Sequence, residues 1–326
     1  MTAIILLNWN GASDTIACLD SLSRAEGDFF VVVADNGSTD DSLVRIQQWQ
    51  KDRDAAIQAS SNVVPDLQTF KNPFECYLLL LGENYGFAKG NNMAIHFAHS
   101  KTPDSYLLLN NDTEVQPDFL VNLLSFSAVH PECRALMPKI NYFGEKNRVW
   151  HCGGKLHLGR HSYYYANALD ADVPSVDYLP IQFISGCALF VYPDLLQTNG
   201  NLLTERFFFG EEDFEFSLRM KKQGIPMACV LSSLIYHKVG SSRGVLTSGK
   251  VYVAYLSRFI DIRLHYHQPF VFFWRLAYYP KCFLTFLRSK AGVWKSLRLT
   301  NRLYRESRHQ DCVSAEDYRL LVVECA

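Results

Sequence analysis

The sequence predicts an α/β fold in which a mixed, mostly parallel sheet is flanked by helices and followed by a C-terminal helical extension. Over residues 1–125, short apolar runs alternate with helical patterns in the order β-α-β-α-β-α-β. This order implies a parallel sheet with right-handed crossovers. From residue 134, glycines and aromatic residues indicate short antiparallel strands, and beyond residue 251 aromatic-rich, basic helical patterns follow. We therefore predict an α/β domain at residues 1–245 and a helical domain at residues 246–326.

Hydrophobic periodicity places the individual elements. The predicted strands are bounded apolar runs of strand length, and they lie at residues 3–7, 29–34, 77–81, 106–109, 183–192 and 227–236. The predicted helices lie at Ala12–Leu22, 38–50, 88–98, Glu212–Gln223, 252–267 and 269–287. Ser38 and Asp40 are candidate N-caps of the second helix, and Gly224 ends the fourth. Residues 52–73 carry two prolines and many polar residues, which indicates a surface insertion.

The composition limits the class of protein. A chain that is 48% hydrophobic and 20% charged can bury a real core, and a net charge of −1 excludes a globally basic nucleic-acid binder. Nine cysteines without any C-x-x-C pair indicate reduced thiols and a cytoplasmic location. The sequence shows no signal-peptide pattern and no run of 18 uninterrupted apolar residues, since Arg275 and Lys281 break the nearest one.

Polar residues follow each of the first four predicted strands. They are Asn8-Trp9-Asn10, Asp35-Asn36-Gly37-Ser38, Glu83-Asn84 and Asn110-Asn111-Asp112. Ligands of open α/β sheets bind beyond the carboxyl ends of the strands, so this pattern predicts a ligand cleft, although such residues are also ordinary turn formers. A single glycine, Gly11, follows the first strand, which argues against a G-x-G-x-x-G oxidoreductase. The same loop lacks Lys and Arg, which disfavours a nucleotidyltransferase.

Two acidic clusters and one histidine are candidates for chemistry. Asp112, flanked by two amides, suits a divalent metal only if a diphosphate supplies further oxygens. Glu211-Glu212-Asp213 opens a helix after three phenylalanines, and aromatic packing raises the pKa of a carboxyl towards that of a general base. Favourable charge at a helix start is the alternative explanation. His237 follows a strand and is either a structural histidine or a metal ligand.

Together these segments resemble the inverting family-2 glycosyltransferases of the GT-A fold, most closely their bacterial rhamnosyltransferase-type branch. The resemblance covers roughly residues 1–265 and is carried, in order, by residues 7–11, 33–40, 83–92, 109–113, 185–188 and 212–219, and by His237 with Ser241. Each motif alone is weak evidence for the family, but all of them together, in the family's order, are specific. Asn110 replaces the first acid of the family's metal-binding triplet, which puts tight metal binding in doubt.

The resemblance implies roles for individual residues. Asp213 matches the general base and Glu212 its acceptor-side neighbour, while Asp112 and His237 match ligands of Mg²⁺ or Mn²⁺. Gly186 and Cys187 fall on the acceptor side of the cleft. The donor side is matched by Asn8, Asn10, Asp35, Asn84, Gly86, Phe87, Gly90, Asn91, Asn110 and Asn111, with Asp35 contacting the nucleoside base.

The activity implied by the resemblance is a single displacement with inversion. The donor is a nucleotide-diphosphate sugar. The branch resemblance favours dTDP-rhamnose, and galactofuranose, glucose or N-acetylated sugars on UDP are the alternatives. The acceptor is a saccharide or a polyprenyl-linked saccharide in cell-surface polysaccharide biosynthesis. The alternative is a non-catalytic nucleotide-sugar or carbohydrate-binding module of the same fold. Such a module would have a disabled base or metal site, whereas both Asp112 and Asp213 are present.

The C-terminal segment has two interpretations. Residues 269–309 contain nine Lys or Arg but a single acid, Glu306, among many large aromatic residues. They are either helices that pack on the α/β domain or a basic, aromatic surface for an anionic membrane. The second interpretation implies peripheral contact with the cytoplasmic face of the inner membrane.

Overall fold

A computed structural model describes residues 1–61, 74–239, 247–289 and 291–325 of the chain. The strands in these ranges are β1 Thr2–Asn8, β2 Phe29–Asp35, β3 Cys76–Leu80, β4 Ser105–Asn110, β5 Thr113–Val115, β6 Ala135–Tyr142, β7 Val149–His151, β8 Gly154–His157, β9 Arg160–Tyr163, β10 Tyr178–Ile181, β11 Ala188–Val191 and β12 Met227–His237. The helices are α1 Ala12–Leu22, α2 Ser42–Ser61, α3 Gly86–His99, α4 Phe119–Val129, α5 Glu212–Gln223, α6 Ser248–His265, α7 Gln268–Arg288, α8 Val293–Glu306 and α9 Ala315–Glu324.

The central sheet has the strand order β10-β12-β6-β11-β4-β1-β2-β3. Strands β3, β2, β1 and β4 are mutually parallel, as predicted, and β11 runs antiparallel to both β4 and β6. In register, Asn8 lies opposite Asp35 and Leu7 lies opposite Asn110. The carboxyl ends of these strands therefore meet at one edge of the sheet. The predicted mixed, mostly parallel sheet with flanking and C-terminal helices is confirmed.

Helix α2 differs from the prediction at both ends. It begins at Ser42 because the Ser38 hydroxyl is engaged by Asp35 in the preceding loop, while the Asp40 carboxylate accepts the Ser42 N–H at 2.9 Å. It continues through residue 61, into the predicted insertion, because residues 51–61 contain no Gly or Pro to end it. The rest of that insertion, residues 62–73, lies outside the described residues.

The strand predicted at residues 183–192 is wrong for its first half. Only Ala188–Val191 is a strand, and residues 186–187 form a turn in which the Cys187 N–H donates to Ser185 Oγ at 3.2 Å. A continuous apolar run does not reveal where a buried turn interrupts it, since periodicity is the only local signal. The correction matters because this turn lies at the carboxyl edge of the sheet.

The described residues form two hydrophobic clusters. The first surrounds the central sheet. The second joins α6, α7, α8 and α9 to the β8–β9 hairpin and to α5, and it includes Leu156, Phe183 and Phe214 beside Phe259 and Trp274. The division at residues 245 and 246 stays a prediction, but buried side chains from both sides of it share this second cluster. None of the helices described is both long and apolar enough to span a bilayer.

Candidate active site

The loops after β1 and β2 are joined by side-chain hydrogen bonds. Asn8 is fully buried, and its Nδ2 donates to Asp35 Oδ1 at 2.8 Å and to Ser38 Oγ at 3.1 Å. Ser38 donates its N–H to Asp35 Oδ2 at 3.0 Å and its hydroxyl to Asp35 Oδ1 at 2.6 Å. Asn10, exposed and left-handed with a φ of 51°, accepts the Thr39 N–H at 2.8 Å. These bonds hold Asp35 rigidly at the edge of the predicted donor site.

The loop after β3 is fastened to the same edge by Asn36. Its Nδ2 donates to Asn84 Oδ1 and to the Gly86 carbonyl, both at 3.2 Å, and its Oδ1 accepts the Tyr85 N–H at 3.0 Å. Gly86 has a φ of +80°, and a Cβ there would lie 2.0 Å from the Phe208 carbonyl oxygen. Conformation and space therefore both require glycine, and the donor-side loop lies directly against the segment that precedes α5.

The first turns of α3 carry three further predicted donor residues. The ring of Phe87 lies 3.3 Å from the position that a Cβ of Gly186 would take. A Cβ on Gly90 would lie 2.7 Å from Leu7 Cδ1, so the small size of Gly90 allows α3 to pack on the sheet. Asn91 is buried and donates to the Phe87 carbonyl at 2.9 Å. Phe87 thus reaches the predicted acceptor side, while donor roles for Gly90 and Asn91 stay predictions.

Asp112 and His237, the two predicted metal ligands, lie side by side. Asp112 Oδ1 is 3.0 Å from His237 Nε2, and both residues are buried. The antiparallel pairing of β5 with β12 places Thr113 opposite His237 and so sets this approach. Burial lowers the pKa of His237, but the neighbouring Cys187 sulfur and the Asp112 carboxylate outweigh burial and raise it to about 10.

The Asp112–His237 pair fits a divalent metal only if a bound diphosphate supplies further ligands. Among the described residues, no group of three or more His, Cys, Asp or Glu is arranged to hold a metal ion. His237 Nδ1 is buried and has no hydrogen-bond partner in the described part of the chain. Mg²⁺ is usually held by one or two carboxylates, with waters and substrate phosphates completing its shell. Asp112 and His237 therefore suit a metal shared with a diphosphate rather than a metal cage made by the protein alone.

The two asparagines before Asp112 make structural contacts, Asn110 through its backbone and Asn111 through its side chain. The Asn110 N–H donates to the Cys187 carbonyl at 2.8 Å, which ties the end of β4 to the turn before β11. Asn111 Nδ2 donates to Thr15 Oγ1 at 2.9 Å, so this side chain is engaged by α1. Their predicted donor roles remain predictions.

The turn at residues 186–187 links the two acidic clusters. The Gly186 N–H faces the Asp213 carboxylate and lowers its pKa, and the Cβ of Asp213 lies 3.9 Å from the position that a Cβ of Gly186 would take. The next residue, Cys187, is buried and touches His237, which in turn contacts Asp112. The structure therefore brings the predicted base, the predicted acceptor-side turn and the predicted metal ligands into one site.

The acids at the start of α5 have perturbed pKa values. Burial is the largest cause that raises the pKa of Asp213 to about 6; the charge of Glu211 adds to it, while Arg258 and two backbone N–H groups oppose it. Burial, together with the charge of Asp213, raises the pKa of Glu212 to about 8. At neutral pH the two carboxyls therefore carry less than two negative charges, with Asp213 the more ionised. This arrangement suits Asp213 as the proton acceptor.

Comparison with known families decides the family of the chain. The sequence matches the model of Glycosyl transferase family 2 over residues 3–177, which is more than half of the 326 residues. The chain belongs to glycosyl transferase family 2. The matched range contains Asp35 and Asp112 but ends before Asp213 and His237. Including those two residues in this family 2 site therefore rests on their positions in the structure. No curated protein sequence matches the chain significantly.

Solved structures show the same fold at low identity. The mannosyltransferase PcManGT from Pyrobaculum calidifontis, solved with GDP-Man and Mn²⁺, is 15% identical with a TM-score of 0.54, over 99% of this chain and 79% of that one. Residues 1–349 of TarS from S. aureus are 14% identical with a TM-score of 0.52, over 99% and 90% of the two chains. GalNAc-T7, solved with UDP, GalNAc and Mn²⁺, is 12% identical with a TM-score of 0.59, over 99% and 56%.

An aromatic row beside this family 2 site was missed by the sequence analysis. Trp150 lies 4.5 Å from the His237 ring and 4.4 Å from His151, and His151 stacks on Tyr163 at 4.4 Å. Burial lowers the pKa of His151 to about 3, so this ring is neutral at pH 7. His161 continues the row, 5.1 Å from Tyr163. The aromatic residues 163–165 are the part of this row that the sequence makes evident, but no local sequence pattern connects them with His237.

Asn92 is a second residue to which the sequence motifs assigned no role. It is buried on α3, and its Oδ1 accepts the N–H groups of Leu202 and Leu203, both at 3.1 Å. Its Nδ2 donates to the Leu203 carbonyl at 2.9 Å and to Glu205 at 3.0 Å. Asn92 thereby fastens the donor-side helix to the segment that leads into α5. Ser241, the last residue of the quoted motifs, lies outside the described residues.

Proposed function

We propose that this family 2 protein is an inverting, metal-dependent glycosyltransferase that uses a nucleotide-diphosphate sugar. The observation that carries the proposal is the turn at residues 186–187. Gly186 lies beside Asp213, the proposed base, and Cys187 contacts His237, which is 3.0 Å from Asp112. The Mn²⁺ and nucleotide or nucleotide sugar bound by the structural neighbours support the choice of donor class and metal.

The proposed reaction is a single displacement. The Asp213 carboxylate takes the proton of an acceptor hydroxyl while that oxygen forms a bond to the anomeric carbon. The bond from that carbon to the diphosphate oxygen breaks, and the electron pair leaves with the diphosphate. Asp112 and His237 would hold Mg²⁺ or Mn²⁺, which neutralises the charge of the leaving diphosphate when it is bound. No second carboxylate acts as a nucleophile, so the anomeric configuration inverts.

The remaining predicted residues are assigned to a donor side and an acceptor side of the proposed site. We assign the nucleoside to the rigid Asp35 edge and the acceptor to the side of Glu212 and Cys187. Trp150, half-buried beside His237, and Tyr163, whose exposed fraction is 36%, offer that side an aromatic surface for an acceptor saccharide. We propose dTDP-rhamnose as the donor and a saccharide or polyprenyl-linked saccharide of a cell-surface polysaccharide as the acceptor. Both choices come from the resemblance of the motifs to the rhamnosyltransferase-type branch.

A thermal-shift panel of dTDP-rhamnose, UDP-GlcNAc, UDP-GalNAc and GDP-mannose, each with and without Mn²⁺, tests the proposal. A ligand at 100 times its Kd stabilises the folded state by about 2.7 kcal/mol, which is several degrees in melting temperature. We expect one donor to stabilise the protein, and more strongly with Mn²⁺. Nucleoside monophosphates serve as the control because they lack the bridging diphosphate.

Two outcomes would count against the proposal. If no nucleotide-diphosphate sugar stabilises the protein, the donor class is wrong. If a donor stabilises it but no nucleoside diphosphate is released with any acceptor or with water, the chain is the non-catalytic binding module of the same fold.

We also propose that α7 and the start of α8 contact an anionic membrane. Phe273, Leu276, Pro280 and Leu284 recur at helical spacing on one exposed side of α7, and Trp294 of α8 is 81% exposed. The exposed basic residues in this region are Lys281, Arg288, Arg298, Arg305 and Arg308. Apolar and basic side chains of this kind suit the interface of a negatively charged leaflet. Arg275 does not contribute, since it is buried against Ser307 Oγ at 2.9 Å.

Flotation with vesicles tests this contact. We expect the full-length protein to float with vesicles rich in phosphatidylglycerol and not with neutral phosphatidylcholine vesicles, because each basic residue near an anionic surface contributes about 1 kcal/mol. The double variant Phe273→Ser with Trp294→Ser should lose most of this binding. Val129→Ser, which changes a 73% exposed residue of α4, is the matched control. Equal flotation of all three proteins, or none, would contradict the proposal.

A further inference from the structure

Arg258 of α6 contacts three separate parts of the site. Its Nε and Nη2 form a bidentate pair with the Glu211 carboxylate, with 3.0 Å between Nη2 and Oε1. Its Nη1 donates to the Gly159 carbonyl at 3.2 Å, between β8 and β9. The guanidinium carbon lies 3.8 Å from the centre of the Phe214 ring. One side chain of the C-terminal extension therefore joins the residue before α5, the first turn of α5 and the β8–β9 hairpin.

These contacts bear on Asp213 because Glu211 lies two residues before it in the chain and Phe214 directly follows it. Glu211 has a φ of 72°, a left-handed conformation that a residue with a long side chain rarely adopts. The chain turns into α5 at this residue, so its conformation decides the direction of the first helical turn. The ion pair is well shielded, with exposed fractions of 18% for Arg258 and 11% for Glu211. Paired hydrogen bonds from a planar guanidinium fix orientation as well as distance.

We propose that Arg258 is a positioning residue for the transfer reaction: by holding Glu211 and Phe214, it aims the Asp213 carboxylate at the acceptor hydroxyl. This inference rests on the proposed role of Asp213 as the base. It gives α6, which lies outside the family-matched range, a part in the active site. Deleting the C-terminal helices would then damage catalysis directly.

The charges around Asp213 give the proposal an electrostatic signature. Glu211 and Glu212 face it from its own segment and Arg258 faces it from α6, while His161 of β9 is kept neutral by burial, which lowers its pKa to about 4. The negative charge of Glu211 raises the pKa of Asp213, and the positive charge of Arg258 lowers it.

One further acid is packed beside Arg258. Asp261 is buried on α6 one turn after it, and burial raises its pKa well above the usual range. Removing Arg258 should therefore raise the pKa of Asp213, and removing Glu211 should lower it.

The test compares Arg258→Ala, Arg258→Lys and Glu211→Gln in the full-length protein, using the donor identified by the thermal-shift panel and following nucleoside diphosphate release. For Arg258→Ala we expect kcat to fall about 10²-fold through misplacement of the base. The pH below which kcat falls, that is, the acidic limb of the pH profile, should rise by about one unit. The donor KM should stay nearly unchanged. Arg258→Lys should lower kcat but leave the acidic limb at its wild-type pH. Glu211→Gln should shift the acidic limb to lower pH.

The matched control is Arg263→Ala. Arg263 also lies on α6 and also pairs with an acid, Asp311 at 2.6 Å, but it holds the carbonyls of Ser307 and Gln310 rather than α5. We expect this variant to lose stability while keeping the wild-type pH profile. If Arg258→Ala kept wild-type kcat and pH profile, or behaved like Arg263→Ala, the positioning role would be refuted.

Two further outcomes remain decisive. Should Arg258→Ala fail to fold, the other two variants decide. We expect a lower kcat with an unchanged acidic limb for Arg258→Lys and a limb shifted to lower pH for Glu211→Gln, and an unchanged limb in Glu211→Gln would overturn the proposal. The parallel Asp213→Asn variant separates the two claims. If it retains turnover, the base assignment fails; if it loses turnover while the Arg258 variants do not, only the positioning role fails.

Discussion

Asp213→Asn should lower turnover by about 10²-fold or more while leaving donor binding nearly intact. Asparagine has nearly the same shape as aspartate and can occupy the same place beside Gly186, but it cannot take a proton from the acceptor hydroxyl. Because burial raises the pKa of Asp213 to about 6, wild-type kcat/KM should fall as the pH drops below about 6, where the base becomes protonated. The variant should lose this limb. Steady-state release of nucleoside diphosphate, measured from pH 5 to pH 9 beside donor titrations, checks both expectations.

Asp194→Asn is the matched control for this substitution. Asp194 is an exposed carboxylate paired with Arg134 at 2.7 Å, and it follows β11, whose antiparallel direction puts its end at the opposite edge of the sheet. It should leave turnover and the pH profile unchanged. Normal turnover in Asp213→Asn with a verified acceptor would show that another group removes the proton.

The sheet and its polar edge could be predicted from sequence for a clear reason. Three of the four parallel strands, β1, β2 and β4, are buried apolar runs that end abruptly in the polar residues Asn8, Asp35 and Asn110, so local pattern reports both the strand and its carboxyl end. The parallel register then brings these residues to one edge without further information.

The contacts that complete the site could not be predicted in the same way. Glu211 and Arg258 are 47 residues apart, and their pairing depends on how α6 packs on α5 through the second hydrophobic cluster. The turn at residues 186–187 is hidden within an apolar run, although it joins Asp213 to the Asp112–His237 pair. Local patterns record which residues are buried and which side of an element they occupy, but not which distant element covers them.

Asp112→Asn should nearly abolish the effect of Mn²⁺ on donor binding and turnover. The protein offers one carboxylate and one imidazole, 3.0 Å apart, so the substitution removes the only anionic ligand that the pair supplies. Loss of a partner that merely orients a ligand typically costs 10- to 100-fold in metal affinity, and loss of a ligand itself should cost about 10²-fold or more. The measurement is a Mn²⁺ titration of donor-dependent thermal stabilisation, repeated for turnover. Asp118→Asn, at an exposed acid before α4, is the control and should titrate like the wild type.

The same titration distinguishes a metal site from a simple ion pair. If Asp112 and His237 act together on a metal, Asp112→Asn and His237→Ala should each remove most of the Mn²⁺ effect, and the double variant should lose little more. If the two residues only stabilise each other, both variants should lower the melting temperature and leave the Mn²⁺ response as it is in the wild type. That result would leave the family 2 fold and the base assignment standing, and it would require the charge of the leaving diphosphate to be neutralised by other groups of the cleft.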